Sequence, residues 1–199
     1  MSSALSVAKA LVELSFEGEE ADPLTNLRLQ KLLYYAQAWS LVIRQSELFQ
    51  EDLRAWRHGP VVVEVCHALP GNQGSKQIAQ DAFAVAPGLI AEEAEFVRRV
   101  WDVYKMFTAY KLRDMTHQET PWKKAWGDRP ADGFGDDEIS VGDIEEYFSG
   151  QTMQAPLAAY EHEYRKAEER ARAAVADRPP LDVARFAALA TSSSRSTGR

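Results

Sequence analysis

Residues 24–45, "LTNLRLQKLLYYAQAWSLVIRQ", decide the architecture. Leu29, Leu32, Leu33, Ala36, Trp39 and Ile43 recur at three- and four-residue spacing, which places them on one face of an α-helix. Leu24, Leu27, Tyr34, Leu41 and Val42 lie off that face. A helix apolar nearly all round is buried on several sides, so this one is expected at the centre of the domain. Thr25 can cap it, as can Asp22 with Pro23 in the first turn.

On the N-terminal side, "ALSVAKALVELSF" reads as a helix, with Leu5, Ala8, Leu11, Val12 and Ser15 on one stripe. On the C-terminal side, "ELFQEDLRAWRH" reads as a turn and a short strand. "GPVVVEVCHALPG" is expected to be a helix started by Pro60, with Val61, Val62, Val65, Cys66 and Leu69 facing inward, although its three successive valines pull toward a strand. "GNQGSKQIAQDAFAV" reads as a loop and a second short strand, able to pair with the first as a ribbon. Four shorter signals follow. These are a helix over "PGLIAEEAEFVRRVWDVYKMF", one capped by Thr108, one begun by Pro121, and one capped by Ser140, which with Asp143 resembles a capping box, Ile139 and Ile144 forming a hydrophobic staple.

Near Gly150 the composition changes. "PLAAYEHEYRKAEERARAAVADRPP" is a charged, alanine-rich helix ended by Pro179-Pro180. "LDVARFAALA" is a short amphipathic piece, and "TSSSRSTGR" has the composition of a disordered tail. The expected fold is therefore mainly α: a compact multi-helix domain with a short two-stranded β ribbon over 1–150, and a charged helical extension with a tail over 151–199.

Composition bounds the function. The 199 residues are 45% apolar with five tryptophans, enough for a real core. A single cysteine allows no intramolecular disulfide. The N-terminus lacks a basic n-region and an unbroken apolar stretch, and no segment approaches the length of a membrane span, so a cytoplasmic protein is expected. Residues 1–150 hold 15 Lys and Arg against 24 Asp and Glu, a net charge of −9. An acidic body repels phosphate backbones, which argues against direct nucleic-acid binding and suits a basic protein partner.

"AWRHGPVVVEVCH", residues 55–67, is where chemistry would be sought, since it gathers two histidines and the cysteine. A zinc site needs three or four ligands, and His58, Cys66, His67, His117 and His162 include no closely spaced chelating pair. Cys66 and His67 are adjacent, so a helix points them about 100° apart. Cys66 reads as a small buried hydrophobe, and His58-Gly59-Pro60 as a backbone turn. "GNQGSK" lacks the spacing of a phosphate loop, and "DGFGDDE" does not match a calcium loop. No catalytic residue, cofactor or metal is expected.

The order of segments is familiar. "LTNLRLQKLLYYAQAW", "LFQEDLRAWRHGPVVVEVCHAL", "YKLRDMTHQETPWKKA" and a final "DIEEYF" resemble the Panacea antitoxin domain family, which includes SocA-like and GepA-like phage-associated proteins. The likeness covers about Ala4 to Phe148. Leu29, Gln30, Lys31, Leu32 and Tyr34 carry its first motif; Trp56, Gly59, Pro60 and Val61 its second; Thr116, His117, Pro121 and Trp122 its third. The chain has His58 where many members have Tyr before Gly-Pro, and Cys66-His67 where many have a later Tyr.

The resemblance implies an antitoxin that neutralises a cognate protein toxin by direct contact, and no enzyme. Likeness to SocA-like members further implies an adaptor that delivers the toxin to the ClpXP protease. Tyr34, Tyr35, Trp39, Trp101 and Tyr104 are the candidate toxin-binding side chains, because partner surfaces concentrate energy in aromatic anchors. Two other readings stand beside this one: a small enzyme or ligand-binding protein using His58, Cys66 and His117, and a DNA-binding autoregulator.

Overall fold

The computed structural model describes residues 2–19, 21–69 and 76–176. Thr25, in extended conformation, accepts the Arg28 N–H on its side chain and so starts α2, Asn26–Ile43. Sixteen of the eighteen α2 residues are buried, polar ones included, and the helix is central. It packs against α1 (Ala4–Ser15), α4 (Ala91–Tyr104), α5 (Ala109–Thr116) and α7 (Val141–Ser149). The side chains of Thr108 and Ser140 each accept a backbone N–H at the first turn of α5 and α7, as expected from the sequence, and Ser3 does the same for α1. Ile139 and Ile144 are both buried. Asp143 does not complete a reciprocal capping box; its carboxylate takes the Lys124 ammonium at 2.7 Å instead.

The β structure differs from the sequence reading. Gly59–Val62 is a strand, β2, and the short helix α3 begins only at Val63 and ends at Ala68. β2 pairs antiparallel with β1, Leu53–Trp56, in the register Leu53↔Val62 through Trp56↔Gly59. Asp137–Glu138, β3, adds to the other edge of β1, giving the order β2-β1-β3. The ribbon partner of β1 is thus β2, while Gln77 makes a single bridge to Thr25, and residues 80–86 form turns. Val61 and Val62 follow their β preference because β1 lies two residues away to pair with them, while Val63 opens α3. Pro60 is tolerated because β2 is an edge strand. The Arg57-His58 turn closes through Gly59 at φ +96°, a conformation that favours glycine.

α6, Thr120–Trp126, has Pro121 in its first turn and packs on α7 and β1. α8 runs from Ala155 to Ala176. Contacts group residues 1–162 into one unit, with a second beginning at Glu163. Leu157 and Tyr160 are buried in the first unit, where the Tyr160 ring lies 5.4 Å from that of Phe96. In the second, Glu168 pairs with Arg165 and Arg172. The Pro179-Pro180 break, the amphipathic piece and the tail lie outside the described residues.

Candidate partner-binding site

The polar residues of α2 tie the central helix to the segments around it. Gln30 Oε1 accepts the Val62 N–H at 2.8 Å, and Gln30 Nε2 donates to Asn26, which donates in turn to Cys66 Sγ at 3.4 Å. Two helical turns later, Gln37 Oε1 accepts the backbone N–H groups of Leu48 and Phe49, and its Nε2 donates to the Phe49 carbonyl. Between them lies Lys31, with no exposed surface, donating to the Pro60 carbonyl at 2.6 Å. Among the described residues no carboxylate pairs with it. Burial, with the charge of Arg113 adding to it and Cys66 opposing, pushes its pKa down to about 7.

The third motif packs beneath the hairpin. Trp122 Nε1 donates to the Trp56 carbonyl at 3.0 Å, and its ring stacks on His117 at 4.1 Å and Trp126 at 5.2 Å. Burial and the charges of Lys31 and Arg113 push the His117 pKa down to about 4, so its imidazole is neutral at pH 7. Thr116 is buried and donates to the Arg113 carbonyl. Leu29, Leu32, Tyr34, Val61 and Pro121 are buried, while Trp56 is half-buried and gives its indole N–H to Asp136. All thirteen motif residues therefore lie in or against one packed region: α2, the hairpin, and the α5–α6 junction.

A cleft of about 410 Å³ opens where α2, α4, α5 and α7 meet. Tyr35, Trp39 and Tyr104 line it. Tyr35 stacks on Tyr104 with ring centroids 4.1 Å apart, and Trp39 donates its indole N–H to the Tyr104 hydroxyl at 2.8 Å. Phe148 closes the edge against Trp39 at 5.3 Å. Met106 stands at the mouth, 78% exposed. Of the five aromatic candidates, the fold brings Tyr35, Trp39 and Tyr104 to this cleft. Tyr34 packs behind it against Phe148, and Trp101 lies elsewhere, beneath Arg28. All five are largely buried, so any partner meets the edges of these rings rather than free side chains.

Glu119 was absent from the sequence-derived candidates. Its Oε1 accepts the Tyr35 hydroxyl at 2.9 Å within the cleft, and burial pushes its pKa up to about 7 against the pull of Tyr35 and Tyr34. Gln37 was missed too. Its signal was a second glutamine seven residues after Gln30 on an otherwise apolar helix, the spacing of two side chains on one face.

His58 and Cys66 line a second cleft of about 410 Å³ together with Lys31 and Trp56, and His117 is not among its lining residues. His58 is exposed in the hairpin turn, Cys66 is buried on α3, and His117 is held against Trp122, with no hydrogen bond joining them. Among the described residues, no group of three or more His, Cys, Asp or Glu is placed to hold a metal ion. No described helix is long and apolar enough to cross a membrane.

The family model "Antitoxin SocA-like, Panacea domain" matches residues 29–123. This segment is similar to the SocA-like Panacea domain. The match begins at Leu29 and ends one residue after Trp122, so it includes every motif residue in the packed region above. No curated protein and no solved structure matches the chain. The matched segment is centred on α2 and closed by the hairpin and by α4 to α6. α1 and α7, outside the matched segment, complete the burial of α2.

Proposed function

We infer that the chain is an antitoxin that neutralises a cognate protein toxin by direct binding, and that it has no catalytic role. The observation that carries this reading is the Panacea match, together with the thirteen motif residues gathered into one structural region. A specific complex needs roughly 1,000 Å² or more of buried surface with aromatic anchors near its centre. The cleft beside Tyr35, Trp39 and Tyr104 offers such a centre, with Met106 at its mouth as an adaptable apolar contact.

A second step fits the same role. Bound toxin is delivered to ClpXP in the cytoplasm, with residues 1–150 holding the toxin and residues 151–199 engaging the protease. A charged helix followed by a short amphipathic piece is the kind of segment that docks or folds on a partner. Co-expressing the product of the adjoining gene with this chain tests both steps. Growth should be rescued, the two proteins should co-purify, and toxin turnover should depend on ClpXP and on residues 163–199, whose removal leaves the cleft and the buried Leu157 and Tyr160 in place. Rescue without co-purification would refute direct neutralisation. Rescue with unchanged toxin turnover would refute delivery.

A further inference from the structure

Glu119 occupies the N-cap position of α6, yet its carboxylate makes no cap hydrogen bond. It turns instead into the cleft, where the residue is 7% exposed. Oε1 accepts the Tyr35 hydroxyl, and Oε2 is buried with only the Tyr34 hydroxyl facing it. The Tyr34 hydroxyl pulls on the carboxyl as Tyr35 does. A buried carboxylate met only by neutral hydroxyls, with no cation beside it among the described residues, is costly to the fold when ionised, and in an open cleft it can be compensated by a cation that arrives from outside.

The surroundings define that cation. No lysine, arginine or histidine among the described residues lines the cleft, and its only other charged residue is Asp102, already paired with Lys105. The walls are apolar, from Trp39 and Tyr104 to Phe107, and suit an aliphatic stem that ends in a charged head. Met106 and Met115 are unbranched and re-pack readily to admit it. The net charge of −9 over residues 1–150 draws a basic segment toward this face.

We propose that this cleft binds a lysine or arginine side chain of the partner protein, its charged head pairing with Glu119 and its stem lying against Trp39 and Tyr104. The identity of the partner as a toxin rests on the antitoxin reading; the capture of a cation does not.

The test uses the full chain and three N-acetylated tripeptide amides, Leu-Arg-Leu, Leu-Lys-Leu and Leu-Gln-Leu, titrated while the Trp39 indole N–H is followed by NMR. Glu119→Gln keeps an acceptor for Tyr35 and nearly the same volume, and its melting curve checks the fold. The arginine and lysine peptides should bind at least about tenfold more tightly than the glutamine peptide, and the variant should lose that preference. Wild-type affinity for the arginine peptide should rise about tenfold from pH 6 to 8, as the carboxylate becomes ionised. The facing groups do not titrate in that range: burial raises the pKa values of Tyr34 and Tyr35 on α2, Tyr104 on α4 and Tyr147 on α7. Equal binding of all three peptides, or an unchanged preference in Glu119→Gln, would overturn the proposal. So would self-association that Glu119→Gln abolishes, which would give the cleft to a second copy. Toxin rescue separates the two ideas. Glu119-dependent peptide binding without rescue sinks only the antitoxin reading, and rescue without peptide binding sinks only the cation site.

Discussion

Lys31 and Gly59 share one small space. A Cβ on Gly59 would lie 2.7 Å from Lys31 Cε and 2.7 Å from Thr116 Oγ1, closer than real Cβ atoms come. The lysine of the first motif is therefore seated because the second motif has no side chain at that point. The third motif, through Thr116, forms the opposite wall. The three motifs are one packing unit, and the spacing between them in sequence reflects the chain needed to return to the same place.

Gly59→Ala should be more harmful than its backbone conformation alone explains. Gly18 provides the control, because it has φ +94° and nothing within 4 Å of its missing Cβ. Gly18→Ala should cost only the left-handed strain, about 1–2 kcal/mol. Gly59→Ala should cost that plus roughly 1–3 kcal/mol of overpacking. Urea denaturation of both variants measures the difference; equal losses would mean that Lys31 and Thr116 move aside freely.

Lys31→Met should change how stability responds to alkali. The folded pKa of Lys31, about 7, lies below its ordinary value near 10.5, so the unfolded chain binds the extra proton between those limits. Stability from this group is complete above the unfolded pKa and is lost as pH falls through 7. The wild type should therefore gain stability relative to Lys31→Met as pH rises from 7 to 9.5. Parallel stability curves for the two proteins would show that Lys31 keeps its proton in the fold.

Glu119→Gln should act in the opposite sense at lower pH. The folded pKa of Glu119 is raised to about 7, so the folded state holds the extra proton above the ordinary carboxylate range. Its contribution is complete below about pH 4.5 and is lost as pH rises through 7. His117 works against it, since a pKa depressed to about 4 makes the fold lose stability as pH falls below 6.5. The wild-type curve between pH 4.5 and 6.5 should be nearly flat, and Glu119→Gln should uncover a rise in stability with pH across that interval. A wild type and variant with the same pH profile would contradict the assignment.

Trp122→Ala should lower the melting temperature. The buried ring stacks on His117 and Trp126, and its indole N–H holds the Trp56 carbonyl of the hairpin. Truncating a buried tryptophan costs about 3–5 kcal/mol. Unchanged stability with lost toxin neutralisation would move Trp122 from architecture to the partner surface.

Truncation should distinguish two boundaries. Stopping at Gly150 removes Leu157 and Tyr160, which are buried against the domain, and should destabilise it by several kcal/mol on an estimate of about 1.5–3 kcal/mol per buried apolar side chain. Stopping at His162 keeps both residues and should leave melting behaviour unchanged. Identical melting of the two truncated chains would show that this turn of α8 adds nothing to the body.

What the sequence determined by itself was local. The central helix, its Thr25 cap, the caps at Thr108 and Ser140 and the start at Pro121 follow from spacing and from side chains that bond their own backbone a few residues away. The assignment of the three motifs was also legible, because each is a short run of residue types. Tertiary structure decided the rest, and each case involves an energy that a local stretch does not contain. Gly59–Val62 suits a helix start by its Gly-Pro pair and a strand by its valines; hydrogen bonds from β1 and from Gln30 settle it as a strand. Tyr34, Tyr35 and Trp39 are equivalent aromatics on one helix, and only the arrival of Tyr104, Glu119 and Phe148 puts Tyr35 and Trp39 on a cleft and Tyr34 behind it. Glu119 reads as an ordinary surface carboxylate before Thr120-Pro121. It becomes a buried acid without a counter-charge because α2, α4 and α7 close around it, and desolvation depends on neighbours that are remote in the chain.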